Sequence, residues 1–269
     1  SKVKKMVPAY SLPQAISFKS ALRMGRGLGI KPLKVGLDDI AVLQYTGGTT
    51  GLAKGAMLTH GNLVANMQQV RACLAQLGPD GQPLLREGQE VMIAPLPLYH
   101  IYAFTANCMC MMVSGNHNVL ISNPRDIAGF IKELKNWRFS ALLGLNTLFV
   151  ALMDHPDFKT LDFSSLKLTN SGGTALVKAT AERWEQMTGC RITEGYGLTE
   201  TSPVACTNPY GDQSRLGTVG LPVPGTLLKV INDDGVEQPM GERGELCIKG
   251  PQIMKGYWNK PEATAEVLD

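Results

Sequence analysis

The chain has 269 residues, 44% hydrophobic and 18% charged. That excludes a disordered chain and leaves room for one large α/β domain, or two smaller ones, with a sizeable core. Its net charge of +3 is unevenly spread: residues 1–37 hold eight Lys/Arg and no acid, leaving 18 Lys/Arg against 23 Asp/Glu elsewhere. No basic and aromatic residues interleave as they do on a nucleic-acid surface. The most apolar run, 101–113, is too short for a bilayer and contains Thr105 and Asn107.

In chain order, residues 1–37 read as a basic connecting segment with a short helix near Ala15–Met24. A solvated segment and a contact with anionic membrane are its two readings. The apolar run from Ile40 predicts a strand that delivers Tyr45–Gly55, YTGGTTGLAKG, with four glycines, three threonines and one lysine in eleven residues. Ala56–Leu58 suggests a return strand, and Thr59 caps a helix running to about Leu77. Strands follow at Val91–Ala94, Val119–Ile121, Ala141–Leu143, Leu166–Leu168 and Arg191–Thr193. Helices are predicted over 101–113, Asp126–Trp137, 147–153 and Val177–Thr188. This alternation predicts a mainly parallel sheet flanked by helices, an α/β nucleotide- and acyl-binding subdomain over 38–211. From 212 to 269 the recurrent Gly and Pro, the Asn232-Asp-Asp-Gly235 turn and the short strands Leu227–Ile231 and Glu245–Lys249 predict a small β-rich subdomain.

Five unusual loops each follow a strand: 46–51, 95–100, 144–147, 170–174 and 194–200. In an open parallel sheet such loops line one edge, where ligands bind. The first suits phosphate. Gly47, Gly48 and Gly51 let backbone N–H groups approach an anion, Thr46, Thr49 and Thr50 add hydroxyl donors, and Lys54 adds a mobile cation. It is not a Walker loop, because Leu52-Ala53 follow Gly51. In 194–203, Tyr196 between Gly195 and Gly197 is suited to stacking on a base. Thr199 is suited to a phosphate oxygen, and Glu200 to Mg2+ beside phosphates. Gly172, Gly173 and Thr174 allow close backbone approach. His100 gains an active-site reading from its place on the same edge.

The six cysteines show no zinc spacing, and free thiols suit a reducing cytosol. No signal-peptide pattern opens the chain. The expected location is therefore cytoplasmic, with peripheral contact at the inner membrane face as an open alternative.

Taken together, YTGGTTGLAKGAMLTHGN, PLPLYHIYAF, NSGGT, EGYGLTETSP and GELCIKGPQIMKGYWNKPEAT resemble the acyl-adenylate-forming superfamily. The chain looks most like the bacterial long-chain fatty acid–CoA ligases, over essentially its whole length. The resemblance implies activation of a fatty acid with ATP and Mg2+ to acyl-AMP, then thioester formation with CoA. It implies pyrophosphate contacts at Thr46–Gly51 and Lys54, and magnesium positions at Thr46 and Glu200. It also implies AMP contacts at Gly173, Glu194, Gly195, Tyr196 and Thr199, and His100 near the reacting carboxylate. Tyr99, Phe104 and Gly144 are the expected acyl contacts, with Phe104 where some relatives place a gating Trp. Ala53 stands where many relatives have Pro, and no Pro follows the Gly-Gly turn before Leu176-Val177. The Thr-Gly-Asp ribose motif, the hinge and the C-terminal lysine do not occur, so the resemblance implies a central fragment of the larger N-terminal domain, expected to fold but to be inactive alone. The rival readings are an amino- or aryl-acid adenylating domain and a non-catalytic nucleotide- or acyl-binding module. A homodimer is an open alternative.

Overall fold

Short polar side chains set where several helices begin. The computed structural model describes residues 11–46, 53–77 and 81–268. In it Ser17 accepts from the Ser20 amide at 3.2 Å and starts α1 (Phe18–Gly25). The antiparallel pair β1 (Ile40–Thr46) and β2 (Lys54–Thr59) follows. Thr59 and Asn62 then exchange side-chain to backbone hydrogen bonds at 3.1 and 3.0 Å, opening α2 (His60–Leu74). Next come β3 (Val91–Ala94) and α3 (Ile101–Ala103), which widens into a π-helix, Phe104–Met111. After β4 (His117–Leu120), Asp126 caps α4 (Ile127–Leu134). Then follow β5 (Ala141–Gly144), α5 (Asn146–Met153), β6 (Leu168–Ser171) and α6 (Lys178–Thr188). Gly189, at φ 72°, ends α6 in the left-handed conformation that only glycine adopts freely. The remaining elements are β7 (Ile192–Gly197), β8 (Val204–Thr207), β9 (Leu221–Pro222), β10 (Leu227–Ile231), β11 (Glu245–Lys249) and α7 (Pro261–Ala265).

The chain divides into two units after Val35. In the first, α1 has no buried residue, and Phe18 and Leu22 are exposed. The second holds a seven-stranded sheet in the order β4-β3-β5-β6-β7-β8-β9. The first five of these are parallel and the last two antiparallel. β10 and β11 form a separate hairpin.

The pleat sorts the core. Ile93, Leu142 and Ile192 face one side with Phe130 and Ile131 of α4, Phe149 and Leu152 of α5, and Trp184 of α6. Met92, Ala141, Leu143 and Leu168 face the other, with Leu74 of α2 and Cys110 and Met111 of the π-helix. Because both faces are covered, these strands are apolar at consecutive positions instead of alternating. Burying a side chain such as Phe149 contributes about 2–3 kcal/mol. A third cluster joins Ala56 and Leu58 of β2 to Leu63, Ile101, Met254 and Tyr257.

Three features differ from the sequence expectation. β1 lies outside the central sheet, because among the described residues it pairs with β2 alone. A return this short can close an antiparallel hairpin but not a parallel crossover. Residues 101–113 are not one α-helix: the π-helical turns bury Thr105, which donates to Ser202 O at 3.0 Å, and Asn107, which pairs with Asn118. Finally, Glu194–Gly197 are strand, not loop, because β8 folds back on them. A Cβ at Gly195 would lie 3.1 Å from Cys206 O, and one at Gly197 only 1.9 Å from Pro203 O. Both glycines therefore serve strand pairing as well as the space beside them.

Candidate functional site

The C-terminal ends of β6 and β7, together with β1, surround a cavity of about 710 Å³. One part of its wall is Thr46, His100, Gly172, Gly173 and the run Gly195–Glu200. The other is apolar: Val70, Cys73 and Leu74 of α2, Ala106, Cys110 and Met111 of the π-helix, and Met92, Leu143 and Leu168 of the sheet. Burial pushes the Cys110 thiol up to about 12 against a smaller opposing pull from Arg71, so it remains a protonated, apolar wall group. Tyr102 also lines the cavity, and its hydroxyl donates to Asn170 Oδ1. A Cβ at Gly172 would lie 3.2 Å from the Tyr102 ring, so this glycine makes room for the ring.

The Thr199–Thr201 turn that carries Glu200 is clamped from several sides. Thr201 Oγ1 accepts from Leu198 N at 2.9 Å, Ser202 Oγ donates to Gln252 O at 2.8 Å, and Met254 N donates to Glu200 O at 2.9 Å. The Glu200 side chain accepts at Oε1 from the Tyr257 hydroxyl at 2.6 Å. Burial, then the hydrogen bond and charge of Glu200, push the Tyr257 phenol well above its ordinary value, so it stays the proton donor. Lys54 Nζ lies 5.1 Å from the centroid of the same ring. His100 accepts at Nδ1 from Tyr102 N at 3.2 Å, so a neutral ring carries its proton on Nε2.

Other residues singled out from sequence lie elsewhere. Glu194 does not line the cavity: its Oε2 accepts from Gly217 N at 2.7 Å, so it ties β7 to a neighbouring loop. Gly144 accommodates Phe149, whose ring would sit 2.7 Å from an added Cβ. Phe104 packs in the third cluster, and Tyr99 is 82% exposed. Thr174 and Lys54 are also outside the cavity wall. Gly47, Gly48, Thr49, Thr50 and Gly51 lie outside the described residues.

Sequence reasoning missed Tyr102 and Tyr257, and gave Asn170 a place on the ligand edge but no role. Tyr102 sits inside an apolar run with no periodicity to mark its facing, and Tyr257 is 57 residues from the carboxylate it holds. Among the described residues no group of three or more His, Cys, Asp or Glu forms a metal cage. Glu200 and Thr46 offer one carboxylate and one hydroxyl to the same cavity. That donor set fits Mg2+, which completes its coordination with phosphate oxygens and water rather than with protein alone.

A parallel sheet whose glycine-rich edge opens into a partly apolar cavity defines a ligand-binding α/β domain. Residues 5–258 match the family described as AMP-binding enzyme, and the chain belongs to it. The long-chain-fatty-acid–CoA ligase of Escherichia coli O6:H1 is 51% identical over 267 residues, covering 99% of this chain and 46% of that relative. The solved structure of ATP-bound MatB from Rhodopseudomonas palustris is 29% identical with a TM-score of 0.76, covering 92% of this chain and 47% of that one. A long-chain-fatty-acid-CoA ligase from Archaeoglobus fulgidus is 27% identical with a TM-score of 0.75, covering 87% and 46%. The chain thus spans about half the length of the curated relatives it matches. No helix among the described residues is long and apolar enough to cross a membrane.

Proposed function

We propose that this chain is the nucleotide- and acyl-binding part of a long-chain fatty acid–CoA ligase. In this reading ATP and a fatty acid give acyl-AMP and pyrophosphate, and the CoA thiol then displaces AMP. One observation carries the proposal: a single cavity joins the glycine loops to a long apolar wall. Among the described residues Glu200 supplies the only carboxylate in that wall, and no Lys or Arg lines it. With Glu200 committed to the metal, an amino-acid substrate would find no described carboxylate left for its ammonium group, which favours an acyl chain over the amino-acid rival.

The residue roles follow from chemistry and placement. Backbone at Gly172, Gly173 and Gly195 approaches the nucleotide closely, with Tyr196 against its base and Thr199 on a phosphate oxygen. The Thr46–Gly51 loop and Lys54 take the pyrophosphate oxygens. His100 Nε2–H donates toward the fatty-acid carboxylate, and the apolar wall excludes water from the chain. Glu200 and Thr46 hold Mg2+, which when bound offsets phosphate charge. Aligned donors and a fixed cation lower the barrier for joining a poor electrophile to phosphate.

The test is ATP–pyrophosphate exchange by the protein at the full length of its relatives. Exchange that requires a long-chain fatty acid and Mg2+ is expected. Exchange driven better by aryl or amino acids, or by none, would overturn the assignment.

A further inference from the structure

We infer that Tyr257 is a positioning residue that aims the Glu200 carboxylate into the cavity and couples it to Lys54 beside the phosphate loop. The inference rests on the reading that Glu200 holds the nucleotide's metal. Tyr257 donates to Oε1 of Glu200 at 2.6 Å, and the same carboxylate belongs to a residue that lines the cavity, so the hydroxyl fixes one oxygen while the group keeps acceptor capacity for a cation. A glutamate with no such partner samples several rotamers, and one pinned oxygen removes most of that freedom.

Tyr257 is itself held by main chain. Residues 255–258 run along the open edge of β2: Lys255 N donates to Met57 O at 2.9 Å, Met57 N to Gly256 O at 2.8 Å, and Trp258 N to Gly55 O at 2.8 Å. Tyr257 N donates to Thr264 Oγ1 at 2.9 Å. The ring is therefore fixed to the strand that starts at Lys54, and its face carries the Lys54 ammonium at 5.1 Å. One side chain thus meets a carboxylate on the Thr199–Thr201 turn and an ammonium on β2. A tyrosine that merely filled the third apolar cluster would not need its hydroxyl on Glu200.

The experiment uses the protein at the full length of its relatives and N-methylanthraniloyl-ATP as a fluorescent probe. Mg2+ is titrated at fixed probe for wild type, Tyr257→Phe, Glu200→Gln and the double variant. Tyr257→Phe should raise the Mg2+ needed for half-maximal binding at least fivefold. Its probe affinity without Mg2+ should stay unchanged, and its thermal midpoint should fall by no more than the loss of one hydrogen bond. In the Glu200→Gln background the same change should add less than twofold, because the hydroxyl acts through the carboxylate. Tyr257→Met keeps apolar bulk without hydroxyl or ring, so it should show the same Mg2+ shift and also weaken Mg2+-free binding through Lys54. It reads out the proposal even if Tyr257→Phe folds poorly. A Mg2+-dependent wild type with an unmoved Tyr257→Phe, or an equal shift in both backgrounds, overturns the role of Tyr257. A wild type whose probe binding ignores Mg2+ overturns the metal reading of Glu200 itself.

Discussion

Lys167 Nζ donates to Glu90 Oε1 at 2.7 Å and bridges the beginnings of β3 and β6 across the intervening β5. Glu90 is 2% exposed at its side chain and Lys167 35%. The pair lies at the N-terminal edge of the parallel strands, opposite the glycine loops, so it holds the register of the strands that present the cavity.

Burial alone would raise the Glu90 carboxyl. The Lys167 hydrogen bond, the Arg86 amide and the Ser140 hydroxyl outweigh it and hold the group below its ordinary value of 4.5. A depressed carboxyl contributes stability that is full above the unfolded value and lost as pH falls through the folded one. Lys167→Met should therefore cost about 2 kcal/mol at pH 7, less than a fully buried pair because Lys167 reaches solvent. The difference from wild type should shrink as Glu90 is protonated. Thermal melts at pH 7 and at about pH 3 check this; a difference that grows in acid contradicts it.

Glu200→Gln keeps the side-chain shape and can still accept from Tyr257, but it removes the charge. We expect kcat/KM for ATP to fall by about ten- to a hundredfold, a loss of about 1.4–2.7 kcal/mol, and the Mg2+ requirement to rise. An unchanged Mg2+ titration of adenylation would rule out the metal role.

Ala106 belongs to the apolar part of the cavity wall. Ala106→Phe should obstruct a long acyl chain and leave the glycine loops untouched. Exchange with long-chain acids should drop at least about tenfold, with short-chain acids less affected and ATP affinity unchanged. Equal losses for all chain lengths would show that the apolar wall does not hold the acyl chain.

Helix α1 exposes Phe18 and Leu22 one turn apart, with Arg23 in its last turn. The membrane reading of the basic segment, one of its two sequence readings, predicts sedimentation of the protein with anionic liposomes at low salt, weakening steeply as salt rises. Equal sedimentation with neutral and anionic liposomes would favour the solvated-segment reading.

Much of this was legible in local composition. The strand–loop–helix alternation predicts a parallel sheet because hydrophobic runs and their turn signals are local properties. Thr46, His100, Gly172, Gly173, Gly195, Tyr196 and Glu200 stand out by residue type and by position at or just after strand ends, and they share one cavity. Gly144 stands out just as well, yet it serves Phe149, because a missing side chain looks the same whether a ligand or a ring fills the space.

What the amino-acid order alone determined is the set of chemical parts: hydroxyls, flexible glycines, one carboxylate and apolar stretches. The tertiary structure decided which parts meet. Tyr257 reaches Glu200 across 57 residues and Tyr102 reaches Asn170 across 68, while Glu194 turns away to Gly217. Such pairings depend on strand order and on which chain edge packs against β2, and the periodicity of any single segment carries no record of either.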